Sequence, residues 1–160
     1  MFYYNPDDNN FLVNARIGIN MTMNLAKPAG KAIMIFAVLM VAAMPFFGVW
    51  VWAEEVTPAR LILTQNELIA RHTTNRYVIA LDSIDSVVLL DSLPGSTRVS
   101  GSGLDHLLKG TFRVLGYGNS SLNVHQNEPP FLLVTAGGRY FFINDADANV
   151  TREVYLRLRR

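Results

Sequence analysis

The sequence predicts an α+β protein, mainly β, in which a single transmembrane helix precedes a bent sheet or partial barrel of about seven short strands ending in an amphipathic helix. Three observations carry that reading. Residues 32–53, AIMIFAVLMVAAMPFFGVWVWA, run 22 residues without a charge. From Arg60 onward apolar residues recur with the two-residue period of strands. From Asp145 the chain opens on acids, carries apolar residues at helical spacing and closes on arginines.

Whole-chain composition agrees. The 160 residues leave room for one domain of about 100 residues beside an anchor. Only 17% of residues are charged and 50% are apolar, against about a quarter charged in soluble domains, so some segment belongs outside water. With no cysteine, disulfides and thiolate metal sites are excluded. The net charge of +1 divides into three basic and two acidic residues up to Lys31 and eleven of each from Glu54 on. That neutral C-terminal part gives no electrostatic case for a nucleic-acid partner.

The chain divides into a juxtamembrane segment, residues 1–31, a helix, 32–53, and a domain, 57–160. In the first, Asn5-Pro6-Asp7-Asp8 reads as a turn, because proline fixes φ and Asx side chains bond nearby backbone. The stretch from Phe11 to Leu25 is either an interfacial or docking element or a partly ordered tail. The helix would be about 33 Å long, enough for a hydrocarbon core about 30 Å thick. Lys27 and Lys31 bracket its start, Trp50 and Trp52 stand at its end as interface anchors, and Glu54 and Glu55 close it. Pro45 is expected to kink it. Small residues Ala42, Ala43 and Gly48 form no GxxxG pattern. Val51-Trp52-Ala53 leaves a cleaved signal peptide as the rival reading, although the run is long and begins late for one. A buried core helix is the other rival, and such helices seldom lack a polar face over this length. Arg16, Lys27 and Lys31 before the span, against Arg60 and the more distant Arg71 after it, favour a cytoplasmic N-terminus by a narrow margin.

In the domain, strands are expected at Leu61–Thr64, Glu67–Arg71, Tyr77–Leu81, Val87–Leu90, Gly110–Leu115, Ser121–His125, Phe131–Thr135 and Tyr140–Ile143. Gln65-Asn66 has the length of a tight hairpin loop, Asp82–Ser86 that of a short turn, and Gly137-Gly138 is a hairpin turn. The C-terminal helix starts on Asp145-Ala146-Asp147-Ala148-Asn149. It carries Val150, Val154, Leu156 and Leu158 as its stripe, with Arg157, Arg159 and Arg160 at the negative end of its dipole.

Strands followed by one covering helix make a pleckstrin-homology-like (PH-like) arrangement. Leu81-Asp82-Ser83-Ile84, Asp91-Ser92-Leu93-Pro94, LKGTFRVLGYG from Leu108 to Gly118, Pro129-Pro130-Phe131 and Asn144-Asp145 resemble the bacterial pleckstrin-homology domain proteins of uncharacterised function, over residues 57–160. Residues 3–28 resemble a short module of unknown function that precedes membrane spans in related bacterial proteins. An arginine often follows the Asp-Asp pair there, where this chain has Asn9 and Asn10. The resemblance implies a fold and an envelope location, not a reaction.

Chemistry-bearing motifs are few. His72, His106 and His125 lack the spacing that sets two ligands on one helix face. Ser100, Ser102, Asp105 and His106 have no nucleophile-elbow context and read as a surface loop. Leu115–Ser120 is glycine-rich but matches no phosphate-binding pattern and reads as a hairpin turn. Eukaryotic pleckstrin domains that bind phosphoinositides carry several basic residues in their first hairpin loop, and Gln65-Asn66 supplies none. Arg98, Lys109, Arg113 and Arg139 are either a ligand or partner rim or ordinary solvated charge. Phe131 is expected to start a core strand rather than face a partner.

The expectation is a non-catalytic, membrane-anchored interaction module without metal or cofactor. It binds a protein partner or a copy of itself at the bilayer surface by a sheet edge or loop rim. The alternative is a lipid or small-ligand binder using the rim around Lys109 and Arg113.

Overall fold

A computed structural model describes residues 3–13, 21–73 and 75–159. Arg16 and Arg160 of the charge arguments lie outside them. Contacts group the chain into two units, Met1–Val51 and Trp52–Arg160.

The first unit is organised by an asparagine. Two short strands, β1 (Leu12–Val13) and β2 (Thr22–Met23), pair antiparallel. Next to β2, Asn24 is fully buried. Its Oδ1 accepts from the amides of Asn5 and Ala26, and its Nδ2 donates to the carbonyl of Asn5 at 2.7 Å. The Asn-Pro-Asp-Asp turn is held as its chemistry requires, Asn5 accepting from Asp7 N and Asp8 from Asn10 N. Lys27 Nζ donates to the Pro6 carbonyl at 2.9 Å.

The helix α1 (Pro28–Val56) starts on a proline, whose fixed φ and missing N–H suit a first turn. It continues through Pro45. Its apolar window is unburied and apolar on every side, so it is long and apolar enough to cross a membrane and does not pack as a core helix. Its last residues, from Trp52, belong to the second unit.

That unit is mainly β. One three-stranded sheet has the order β3 (Arg60–Leu63), β4 (Glu67–His72), β5 (Asn75–Ala80). A 3-10 turn, Leu81–Ser83, leads into β6 (Ile84–Leu90). The other strands are β7 (Ser96–Gly103), β8 (Leu107–Val114), β9 (Gly118–His125), β10 (Phe131–Ala136) and β11 (Arg139–Ile143). They form a six-stranded sheet ordered β6-β10-β11-β9-β8-β7, antiparallel except for β11 beside β9. Both sheets are open, and the expected turns at Gln65-Asn66, Gly116–Gly118 and Gly137-Gly138 join neighbouring strands.

At β10 and β11 the six-stranded sheet is apolar on both faces, which explains their unbroken apolar runs. Leu132, Val134 and Ile143 pack with Leu61, Leu68, Ala70 and Ile79 of the smaller sheet and with Val154. Phe131, Leu133, Phe142, Leu122, Val124, Phe112 and Val114 form a second cluster, joined by Leu93, Tyr117 and Tyr140. Phe131 is therefore a core residue.

Three expectations need correction. The domain has nine strands among the described residues, one more than the eight segments expected. The main addition is β7, whose Ser100 and Ser102 are ladder residues, not loop; only Asp105 and His106 lie in the turn after it. The helix α2 (Ala148–Leu158) is capped by Asp147, which accepts from Asn149 N at 2.8 Å. Its inner face is Val150, Thr151, Val154, Tyr155 and Leu158, and Leu156 is 61% exposed. At 100° per residue Leu156 falls off the face that Val150, Val154 and Leu158 define.

Candidate functional site

The last turn of α1 and the strand ends beneath it make the most elaborate polar cluster. Thr57 N and Oγ1 both donate to the Ala53 carbonyl, at 3.1 and 2.6 Å. The Thr57 carbonyl is met by His72 Nε2 at 2.8 Å and His125 Nε2 at 3.0 Å. A carbonyl oxygen only accepts, so both rings present Nε2–H and share its two lone pairs. The two histidines satisfy a carbonyl just beyond the helix, where cationic or donor groups favour the dipole. His72 is 1% exposed. Burial lowers its pKa below the usual imidazole value, with the Thr57 bond opposing and the Lys109 charge adding to the lowering.

One turn earlier, Glu54 is buried against Lys109. The Lys109 ammonium bonds Glu54 Oε2, Thr73 Oγ1 donates to Glu54 Oε1 at 2.7 Å, and Lys109 Nζ reaches Thr73 Oγ1 at 3.3 Å. Burial would raise the Glu54 pKa, but the bonds from Lys109 and Thr73 prevail and hold it below the ordinary carboxylate value. Thr73 itself sits at φ 38°, a strained conformation for a β-branched residue. Asn123 lies opposite Lys109 in the ladder, 1% exposed, with neither side-chain polar atom bonded among the described residues.

Beside this cluster opens a concavity of about 470 Å³ lined by Trp52, Glu55, Val56, Asp105, His106, His125, Asn127 and Glu128. Glu55 Oε1 accepts from His106 N at 3.2 Å. Among the described residues no three His, Asp or Glu side chains converge as metal ligands.

The four basic residues expected on one rim are not brought together. Lys109 is 9% exposed and turned inward to Glu54. Arg98 is exposed on β7 opposite Phe112. Arg113 and Arg139 are exposed, and Arg113 faces Asn119 across the ladder. The β9–β11 ladder begins at Ser121 and Phe141, two residues beyond Asn119 and Arg139, and Arg139 pairs with Ala136 on β10. The Arg139 guanidinium is 6.0 Å from the Phe141 ring centre.

Among the described residues the six-stranded sheet ends at β7, which has a neighbour there only on the β8 side and is exposed along nearly all of its eight residues. Its register shifts between Arg98 and Ser100, leaving Val99 at a bulge and 55% exposed. Beyond the bulge, Ser100–Gly103 is uncharged.

The roles of Glu54, His72, Thr73 and His125 are not legible in the sequence, where the spacing of the histidines speaks only to metal binding. One signal was present: Lys109 interrupts the apolar strand Leu107–Val114 at an inward position, which requires a buried acid.

Residues 59–148 match the family model described as a bacterial PH domain. Residues 6–31 match a family of unknown function (DUF5808). Neither a curated protein nor a solved structure matches the chain.

Proposed function

We propose, from the premise that the chain belongs to the bacterial PH domain family, that it is a non-catalytic interaction module held at a membrane by α1. Its partner is a protein, or a second copy of the chain, that adds a strand to the exposed edge β7. The observation that carries this reading is that edge: eight residues whose outer N–H and C=O groups have no ladder neighbour among the described residues. Arg98 and the bulge at Val99 discourage indiscriminate pairing on the first half. The uncharged second half, Ser100–Gly103, is the docking segment. Confinement to a surface raises effective concentration, so a modest strand contact suffices.

The span is single-pass, with Lys27, Lys31, Trp50 and Trp52 as its interface anchors. The lysine and arginine bias supports a cytoplasmic N-terminus and an extracytoplasmic domain. Protease added to intact cells would then digest the domain, and protection until lysis would reverse the orientation.

The edge is tested by a photo-crosslinking amino acid placed at Val99 or Ser102, with Leu156 as the exposed control. Protein adducts confined to the β7 positions support the reading, and equal yields at Leu156 or adducts only with lipid would end it. The alternative of a lipid or small-ligand rim rests now on Arg113 and Arg139, since Lys109 is engaged by Glu54. It predicts salt-sensitive binding abolished by R113Q with R139Q.

A further inference from the structure

The outer face of the three-stranded sheet carries a pattern that the strand-edge reading does not use. In the ladders, Arg60 stands opposite Arg71 and Arg71 opposite Arg76, so one row across β3, β4 and β5 is all arginine. The next outward row is Ile62, Ile69 and Val78, of which Ile62 and Val78 are 44% and 47% exposed. Ile62, Ile69, Arg71, Thr73 and Arg76 line a shallow concavity of about 470 Å³.

Like charges directly opposite each other destabilise a sheet, because neighbouring strands are only about 4.8 Å apart. Arg60 has a distant partner in Asp145, 3.7 Å away, whose oxygens already accept from Leu61 N and Asp147 N. Among the described residues Arg71 and Arg76 have no acidic partner. A row in which two of three arginines lack an acidic partner among the described residues is complementary to an anionic surface, and guanidinium groups suit phosphate in particular.

The position of the row selects the surface. Arg71 and Arg76 flank the β4–β5 connection, and Thr73 within it donates to Glu54, which follows the apolar segment immediately. Arg60 is likewise the first basic residue after that segment. The face lies at the opposite end of the β3–β4 hairpin from the Gln65-Asn66 loop. We propose that Arg60, Arg71 and Arg76, with Ile62 and Val78 beside them, form a face that rests on the anionic phospholipid headgroups of the membrane that α1 enters. Its occupant is the lipid surface rather than an acidic protein, because exposed aliphatic side chains alternate with the arginines and the row adjoins the chain's own exit from its span. Contact there fixes which way β7 is presented.

This inference rests on the membrane-anchored reading, and the experiment separates the two. The full chain is reconstituted in vesicles of phosphatidylcholine alone or with phosphatidylglycerol, and arginine modification by phenylglyoxal is followed residue by residue. Flotation with the neutral vesicles after carbonate washing reports anchoring on its own. The expected result is that phosphatidylglycerol slows modification of Arg60, Arg71 and Arg76 by about fivefold, that high salt abolishes the effect, and that Arg113 and Arg139 are unaffected. R71Q with R76Q, both exposed, should remove the slowing at Arg60. Equal rates in the two lipids, slowing at Arg113 and Arg139 instead, or equal protection by inorganic phosphate in neutral vesicles would overturn the assignment.

Discussion

Lys109 and Glu54 show what a buried charge pair commits a chain to. Each charge has left water, and the cost of that is met only while the other is present, so removing one partner is more damaging than removing both. Lys109→Met is expected to destabilise the domain by about 3–5 kcal/mol in urea unfolding, whereas Glu54→Met with Lys109→Met recovers most of it. Equal losses in the single and double variants would mean that the pair is not coupled. His72 gives a pH dependence of definite sign. Its pKa in the folded state lies below the unfolded value of about 6.5, so near and below that pH the unfolded chain binds the extra proton. Its contribution is complete above that value and is lost as pH falls toward the folded pKa. Glu54, also lowered, loses its own contribution only further down, as pH falls from the ordinary carboxylate range. The groups facing His72 are Glu54, Lys109 and His125. The melting temperature should therefore fall between pH 7.5 and 5.5, and His72→Gln should flatten that slope; an unchanged slope would remove His72 from the explanation.

Among the elements, β7 is the one whose existence depends on close backbone approach. Gly101 and Gly110 face each other in the β7–β8 ladder at φ 105° and 123°, in the region that side chains avoid. A Cβ on Gly110 would stand 2.4 Å from the Ser100 carbonyl oxygen. Gly110→Ala should thus loosen β7 and accelerate exchange of its amides, leaving the β10–β11 amides protected; uniform acceleration would show that the domain fails as a whole. The same chemistry explains why the strand escaped a reading by propensity. Ser-Gly-Ser-Gly after Val99 has neither alternation nor β-branched density, and what makes it a strand is pairing with β8, a non-local fact. The hairpin at Gly137-Gly138 and the apolar run of α1 are legible because each is determined by contiguous residues. The α2 cap is equally local, whereas the place of Leu156 is not, because apolar residues in a short helix do not by themselves fix the phase of its stripe. The histidine cap on Thr57 joins residues 15 and 68 positions away, a separation that no spacing rule reaches.

At the scale of the whole chain, contacts divide into two sets, one around Asn24 and α1 and one around the two clusters of the β domain. Distant sites without shared partners add rather than couple, so damage to each set should be felt separately. Asn24 is the stricter case, because alanine there orphans the Asn5 and Ala26 amides together with the Asn5 carbonyl. The carbonyl of Asn24 also stands where a Cβ on Gly30 would lie, 2.2 Å away, so this corner has little freedom to rearrange. Asn24→Ala is therefore expected to speed exchange at Asn5 and Ala26 while the melting temperature of the β domain stays unchanged, with Lys109→Met giving the reverse pattern. The double variant should show the sum of both effects. A shift in domain melting from Asn24→Ala alone would mean that order in the first unit is transmitted along α1 to the second. The helix would then be a mechanical link, beyond its part as an anchor.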